Sequence, residues 1–491
     1  MSRTKRYLLF VSLSLLALML LASILVGPRF VSMVGVMASV SCSQVFGGHQ
    51  PWETFLARDL KALRELEPLL TIEQSPQQRS VTGYLLGVPA VNAVYHEGYG
   101  CVSEGSPADE MEKYISLTSS GGMPLEDATG QFPRLNRFIE AEFARNGDQA
   151  DNRINHRSFI ALYRGRLIAE HYASPFDAKT RFASQSMAKS VNALLWAAAD
   201  MRGLVDLDGP VAAPEWQPGD PRQSITNRHL LDMVSGFEFD ENYEFDPFGQ
   251  FFDMVLSGDL AHFAAGLELQ YPPGEHWYYS TADANLSGRT LGLKLAEHDY
   301  TVHRFSDEAL LGRIAADPVE LQVDDAGSFW AGSAVHMTSL DWARLGQLIL
   351  DGGVYRGERL LPEDFLTEMG EPLPQSNGWY KSSMWLNYSL RYGEDRQLAP
   401  GLPEETISFS GFQGQKVQVI PSLELVLVRF GRTEGPGSGA VYKQFIADAY
   451  ALALEEAEST RDASTAAAMR PEAKAPAPNH GRAVSSVDAA L

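Results

Sequence analysis

The sequence predicts an α+β fold: an antiparallel sheet flanked by helices, a mostly helical subdomain, and an N-terminal transmembrane helix. Three observations carry this. Strand-like runs stand at both ends of residues 131–456 and pair best with each other. The chain between them is helical and loop-rich, which fits a sheet built from the two ends of a domain around a helical insertion. Near the N-terminus lies a long uncharged run.

The elements follow in chain order. Arg3, Lys5 and Arg6 precede an uncharged run from Tyr7 to Val26. As a helix, Leu8–Val26 spans roughly 28 Å, close to the hydrocarbon thickness of a bilayer. Cations before it and none within predict a cytoplasmic start. The apolar region of a cleaved signal peptide is shorter, about 7–15 residues. Residues 1–27 therefore read as an inner-membrane anchor with the rest of the chain in the periplasm; signal cleavage and secretion is the alternative. A second apolar stretch, Phe30 to Val45, packs on the domain, lies on the membrane or spans it again.

Residues 28–130 read as an accessory region, with a helix over Trp52–Leu70 and a strand over Val81–Val88. The chain has two cysteines, Cys42 and Cys101, both beyond the anchor. An even count in an exported chain predicts one disulfide between them.

Residues 131–456 form the main unit. An amphipathic helix, Leu135–Arg145, leads into a hairpin, Ser158–Tyr163 and Leu167–Tyr172, around the turn Arg164-Gly165-Arg166. Helical patterns cover 186–202, 226–234, 282–297, 338–351 and 362–369. Two further strands, Lys416–Ile420 and Leu425–Phe430, precede a last helix, Val441–Glu456. Alanine, proline and charge then dominate, so 457–491 reads as a disordered tail.

Composition excludes several functions. At 491 residues the chain can bury one large core or two smaller ones. A net charge of −22 argues against a nucleic-acid partner. There is no Gly-x-x-x-x-Gly-Lys loop for phosphate, and Gly435–Gly439 does not open a βαβ unit. The 11 histidines are scattered and no His-Glu-x-x-His occurs, so neither a metal nor an organic cofactor is expected.

The chemistry centres on Ser186-Met187-Ala188-Lys189. Serine and lysine one turn apart share a helix face. The apolar run Val191–Ala199 behind them reads as a buried helix, which places Ser186 at its N-terminus. A lysine whose pKa is lowered by burial can take the serine proton. The tetrapeptide alone is weak evidence, because Ser-x-x-Lys arises by chance about once in a chain this long. It recurs at Ser2-Arg3-Thr4-Lys5 in the charged N-terminal segment.

Five stretches in order give it company. Ser186–Lys189, His229–Phe237, Pro273–Thr281 with Asn285–Gly288, Thr338–Gly346, and Ser410–Gln415 with Pro421 together resemble the serine β-lactamase and penicillin-binding-protein superfamily. The branch most resembled is the 6-aminohexanoate-dimer hydrolase and class C β-lactamase-related esterase group, over about residues 135–455. The resemblance implies a β-lactamase/transpeptidase-like fold and a serine hydrolase that acts through an acyl-enzyme. It makes Ser186 the nucleophile and Lys189 the general base, with the backbone N–H groups of Ser186 and Phe412 as oxyanion hole. It also places Tyr279 as the proton-relaying phenol, although neighbouring Tyr278 is an alternative match. Tyr243, in the loop Asp240–Tyr243, matches a substrate-contacting tyrosine, and Thr281 and Gly411 fall at substrate-binding positions.

Two residues depart from the pattern. Thr281 stands where the motif has asparagine, and Phe409-Ser410-Gly411 replaces the third motif's usual cation, leaving none there to grip a substrate carboxylate. The expected partner is a small-molecule amide or ester. The alternative is a catalytically silent protein of the same fold that binds ligands or senses the cell wall. A Ser-His-Asp hydrolase fits poorly, since no Gly-x-Ser-x-Gly elbow is present.

Overall fold

A computed structural model describes residues 29–60, 69–112, 114, 122–147, 154–242, 246, 248–390, 397–433 and 438–468. The expected anchor at 1–27 lies outside the described residues.

The central sheet has eight strands. In spatial order they are Tyr380–Lys381, Met384–Leu386, Ile407–Gly411, Gln415–Ile420, Leu425–Thr433, Ile154–Tyr163, Arg166–Tyr172 and Glu126–Asp127. All neighbours are antiparallel except the last pair. The pairing of Leu425–Thr433 with Ile154–Tyr163 joins the two ends of the main unit, as expected from the sequence.

Those strands read as unbroken apolar runs because both faces of the sheet are covered. Side chains alternate across a strand. Val426, Val428 and Phe430 share one core with the helices Met187–Met201 and Ser339–Leu350. Leu425 and Leu427 share another with Pro133–Ala144 and the terminal helix Ser438–Ala468. This last helix runs past Glu456, so part of the expected tail is helical. Its alanines and glutamates are strong helix formers.

The short strands at Tyr380–Lys381, Met384–Leu386 and Ile407–Gly411 were not legible as strands. The first two are too brief to show a period of two; Ile407–Gly411 does alternate, Ile407 and Phe409 against Ser408 and Ser410, but over too few residues to stand out. Leu70, expected to end a helix, instead begins the strand Leu70–Ser75; the helix covers only Trp52–Arg58 among the described residues.

The accessory region is a four-stranded antiparallel meander, Leu70–Ser75, Ser80–Leu85, Val88–His96 and Gly100–Ser103. The helix Arg29–Gly47 packs across it. Val34, Ala38 and Cys42, spaced i, i+4 and i+8, form its buried face. Gly83 permits the approach, since a Cβ there would lie 2.3 Å from Val34 Cγ1. By length and composition this helix also suffices for a membrane span and fits an anchor or signal sequence. Here its apolar face is taken by the sheet, so the Phe30–Val45 stretch packs on the domain.

A disulfide joins Cys42 to Cys101, tying the helix to the last strand of the meander. It fits an extracytoplasmic domain. The bond closes a loop of 59 residues in sequence separation. We expect Cys42→Ser with Cys101→Ser to lose about 2–4 kcal/mol of stability, read as a lower denaturant midpoint. An unchanged midpoint would mean that packing alone holds the helix.

The accessory region docks on the main unit through an apolar cluster, Tyr99 and Val102 against Val323, and through polar contacts. Tyr95 donates to the buried Glu320 carboxylate at 2.7 Å, and Arg157 grips Asp59 at 2.6 and 2.8 Å. Burial pushes the Glu320 carboxyl up to about 7.

Candidate active site

The strand Arg181–Ala183 pairs with Val335–Thr338 and delivers the chain to Ser186. Ser184 fixes this approach. Its backbone N–H donates to the Val335 carbonyl at 2.8 Å, and its hydroxyl accepts from the Val335 N–H at 3.0 Å. Gln185 then takes a positive φ of 48°, a strained turn for a residue with a side chain. The helix Met187–Met201 begins at once, and Met187 to Ala199 are buried throughout. Ser186 has helical dihedrals and makes no capping bond with its side chain. Its hydroxyl faces Lys189 instead.

Lys189 is 1% exposed, so it is no surface lysine. Its Nζ donates to Ser186 Oγ at 3.2 Å, Thr281 Oγ1 at 3.0 Å and the Gly332 carbonyl at 2.7 Å. Three acceptors match the three protons of an ammonium. Burial pulls the amine down to about 8, against an opposing pull from the Glu241 carboxylate. A lysine so tuned can release and accept a proton near neutral pH.

Tyr279 completes the cluster. Lys189 Nζ lies 5.0 Å from the centroid of its ring. The phenol side chain packs at 5.1 Å on Trp385 and edge-on at 6.0 Å to Tyr380, which holds the ring in place. Tyr279 lines the same cleft as Ser186, Gly411 and Phe412. Tyr278 does not line it; it is 43% exposed and its hydroxyl accepts from the Glu241 N–H. The geometry thus separates the two neighbouring tyrosines.

The segment before the helix Thr281–Ala296 is anchored by Asp283. Its carboxylate accepts from Ser280 Oγ at 2.8 Å and Ser235 Oγ at 2.9 Å. Ser235 belongs to the His229–Phe237 stretch, so two sequence motifs meet at one buried carboxyl.

Glu241 is the residue that sequence reasoning passed over. Its carboxylate accepts from the Thr281 N–H at 2.7 Å and from the Thr281 hydroxyl. Burial pushes this carboxyl up, and Lys189 opposes the shift. Thr281 therefore accepts from Lys189 and donates to Glu241, a relay that one hydroxyl can make. The hydroxyl of Thr281, expected at a substrate-binding position, bridges Lys189 and Glu241. The signal for Glu241 was the acidic loop Asp240–Tyr243, from which Tyr243 was singled out. Tyr243 lies outside the described residues.

Gly411 ends a strand against the segment that leads into Ser186. A Cβ there would lie 2.4 Å from the Ser184 carbonyl, so only glycine fits. Phe412, expected on the strand after it, instead opens the 3-10 turn Phe412–Gly414, and its ring lines the cleft. The chain needs that turn to reverse from Ile407–Gly411 into Gln415–Ile420. Phe409 faces away from the site, fully buried and edge-on to Trp342. Its neighbours Ser408 and Ser410 face the cleft.

The expectation that no cation remains beside the third motif is corrected. Lys416, opposite Ser410 in strand register, places Nζ 2.6 Å from Ser410 Oγ. A lysine six residues away in sequence is invisible to a tripeptide motif.

Fold and site together define a β-lactamase-type hydrolase architecture. Comparison with known proteins agrees. The family model described as Beta-lactamase matches residues 143–451, and the chain belongs to that family. It is a serine hydrolase of the β-lactamase type. A 6-aminohexanoate-dimer hydrolase of Paenarthrobacter ureafaciens is 24% identical over 309 residues, covering 57% of this chain and 73% of that protein. A Bacillus anthracis structure provisionally assigned as a 6-aminohexanoate-dimer hydrolase superposes with a TM-score of 0.51 at 16% identity. It covers 74% of this chain and 91% of its own. A penicillin-binding-protein homolog from Caulobacter crescentus has a TM-score of 0.49 at 18% identity, over 68% and 99% of the two chains.

Proposed function

We propose that the protein hydrolyses an amide or ester bond through an acyl-enzyme on Ser186. The reading rests on a buried lysine with Nζ 3.2 Å from an uncapped serine hydroxyl. As free amine, Lys189 takes the Ser186 proton while Oγ attacks the carbonyl carbon. Backbone N–H groups of Ser186 and Phe412 hold the oxyanion; one such donor is worth about 2.7–4 kcal/mol of barrier. Tyr279 relays the proton to the leaving nitrogen or oxygen, and the C–N or C–O bond breaks. A water molecule, deprotonated by the same pair, then attacks the acyl carbon and returns Ser186 to its hydroxyl form.

Thr281 and Glu241 position Lys189 in this scheme. Gly411 lets the cleft strand pass close to the nucleophile, and Tyr243 is kept as a substrate contact on resemblance. Residues 28–130 form an accessory region and 131–456 the hydrolase unit, held outside the cytoplasm by the N-terminal segment. The disulfide supports that location.

A panel of p-nitrophenyl acyl esters, ω-amino-acid amides and nitrocefin, run on wild type and Ser186→Ala, tests the reading. Turnover of at least one member, lost in the variant, is expected. Turnover that survives in Ser186→Ala overturns the assignment. No turnover and no fluorophosphonate adduct on folded protein would favour the silent alternative.

A further inference from the structure

The accessory meander has two unlike ends. Strands Leu70–Ser75 and Ser80–Leu85 join at one end through Pro76-Gln77-Gln78-Arg79, all exposed. Strands Ser80–Leu85 and Val88–His96 join at the other end through Leu86-Gly87. Both residues of that turn have positive φ, 52° and 76°. Asparagine or aspartate followed by glycine is the favoured pair in such a turn. A leucine there is strained, and its side chain is 67% exposed. Val88 is 64% exposed; Leu69, whose carbonyl accepts from the Leu86 N–H at 2.8 Å, is 46% exposed. Single exposed apolar side chains are ordinary, but three at one tip form a patch. No charged residue occurs from Ser80 to Tyr95, in a chain that is 21% charged. On the meander, Glu73 and Glu104 are the first carboxylates behind the tip. They stand level with Thr82 and Asn92, roughly 10 Å back along the strands.

The tip lies where the chain enters the fold. In the helix Arg29–Gly47, Val34 meets Gly83 and Gly35 meets Val91, while Ser39 and Ser43 bond to the Cys101 backbone. Cys101 pairs with Tyr95, towards the polar end. The helix therefore runs from the tip towards that end, and its first turn is level with Leu86-Gly87. Three residues separate Arg29 from Val26, where the uncharged N-terminal run ends, a reach of at most about 11 Å. A second exposed side chain stands beside this entry point. Phe248 is 63% exposed and its ring lies 5.7 Å from the Arg29 guanidinium, which also pairs with Asp253.

We propose that Leu69, Leu86 and Val88 sit in the interfacial layer of the bilayer that the N-terminal anchor crosses, with Phe248 as a second contact. This docking rests on the anchor reading of residues 1–27 and adds an orientation to it. An anchor alone leaves a domain free to swivel, whereas a further point of contact fixes its tilt. The depth agrees, since side chains at such surfaces reach about 5–10 Å into the headgroup boundary, short of the two carboxylates. The tip is uncharged, so the contact needs no anionic lipid, which would repel a chain of net charge −22.

The test places full-length protein in phosphatidylcholine nanodiscs that contain a shallow doxyl-labelled lipid. A nitrobenzoxadiazole dye is attached at Leu86→Cys or, at the opposite end of the meander, at Gln77→Cys. The native cysteines are joined to each other and take no dye. At Leu86→Cys the doxyl lipid should quench roughly half the emission or more, with shielding from aqueous iodide, as for a group at interfacial depth. At Gln77→Cys the pattern should reverse. Val88→Cys repeats the measurement if Leu86→Cys fails to fold. Equal quenching at the two ends overturns the docking. Alkaline carbonate extraction from vesicles of the same lipid judges the anchor separately. A chain that stays with the vesicles while its two ends quench alike keeps the anchor and loses the docking. A chain released by carbonate loses both.

Discussion

Replacing Ser186 by alanine is expected to lower kcat for a good acyl ester by roughly 10⁴–10⁶-fold, because in the proposed mechanism Ser186 carries the acyl group. The fold should survive. The Ser186 hydroxyl caps no helix, and among the described residues its hydrogen bond comes from Lys189, which keeps Thr281 and Gly332 as acceptors. Binding and the oxyanion donors remain in the variant, so some rate above water persists. Thermal melting alongside single-turnover kinetics checks both halves. A variant that melts like wild type yet retains turnover would remove Ser186 from the mechanism.

Lys189→Met should cost a comparable factor, and Ser186→Ala with Lys189→Met should be no worse than either alone, since the two act as a unit. The pH dependence carries more detail. Only the free amine can accept the serine proton. Burial lowers the Lys189 pKa from its ordinary value, so the competent fraction grows as pH rises through it. For a neutral ester, kcat/KM should rise about tenfold per pH unit below 8 and then level off. Glu241 holds the lysine proton on, so its negative charge raises the Lys189 pKa. Glu241→Gln removes that charge and should move the rising limb to lower pH. A limb that does not move would assign Glu241 a purely structural part. A profile flat from pH 6 to 9 would exclude Lys189 as the base.

The strands at the two ends of the main unit were legible because they are long and apolar on both faces. The same holds for the helix Met187–Met201, whose run Val191–Ala199 has no exposed side. What could not be read was side-chain meeting across the fold. Glu241 reaches Thr281 across 40 residues, and Lys416 reaches Ser410 through cross-strand register. Neither distance in sequence carries a periodic signal. Motif reasoning also treated Thr281 as a weakened asparagine. It instead links Lys189 to a carboxylate, a role that depends on where the 240–242 loop folds. Phe409 looked like a lost cation because a tripeptide says nothing of direction; alternation along the strand turns its ring into the core and its serine neighbours into the cleft.

The central claim is that a lysine-activated Ser186 carries the acyl group. Its most direct test is to label the folded protein with a fluorophosphonate, map the adduct by peptide mass spectrometry, and follow the labelling rate against pH. The account predicts a single adduct on Ser186, formed with a midpoint near pH 8 and absent from Ser186→Ala. An adduct on another residue, or undiminished labelling of Ser186→Ala, would contradict it.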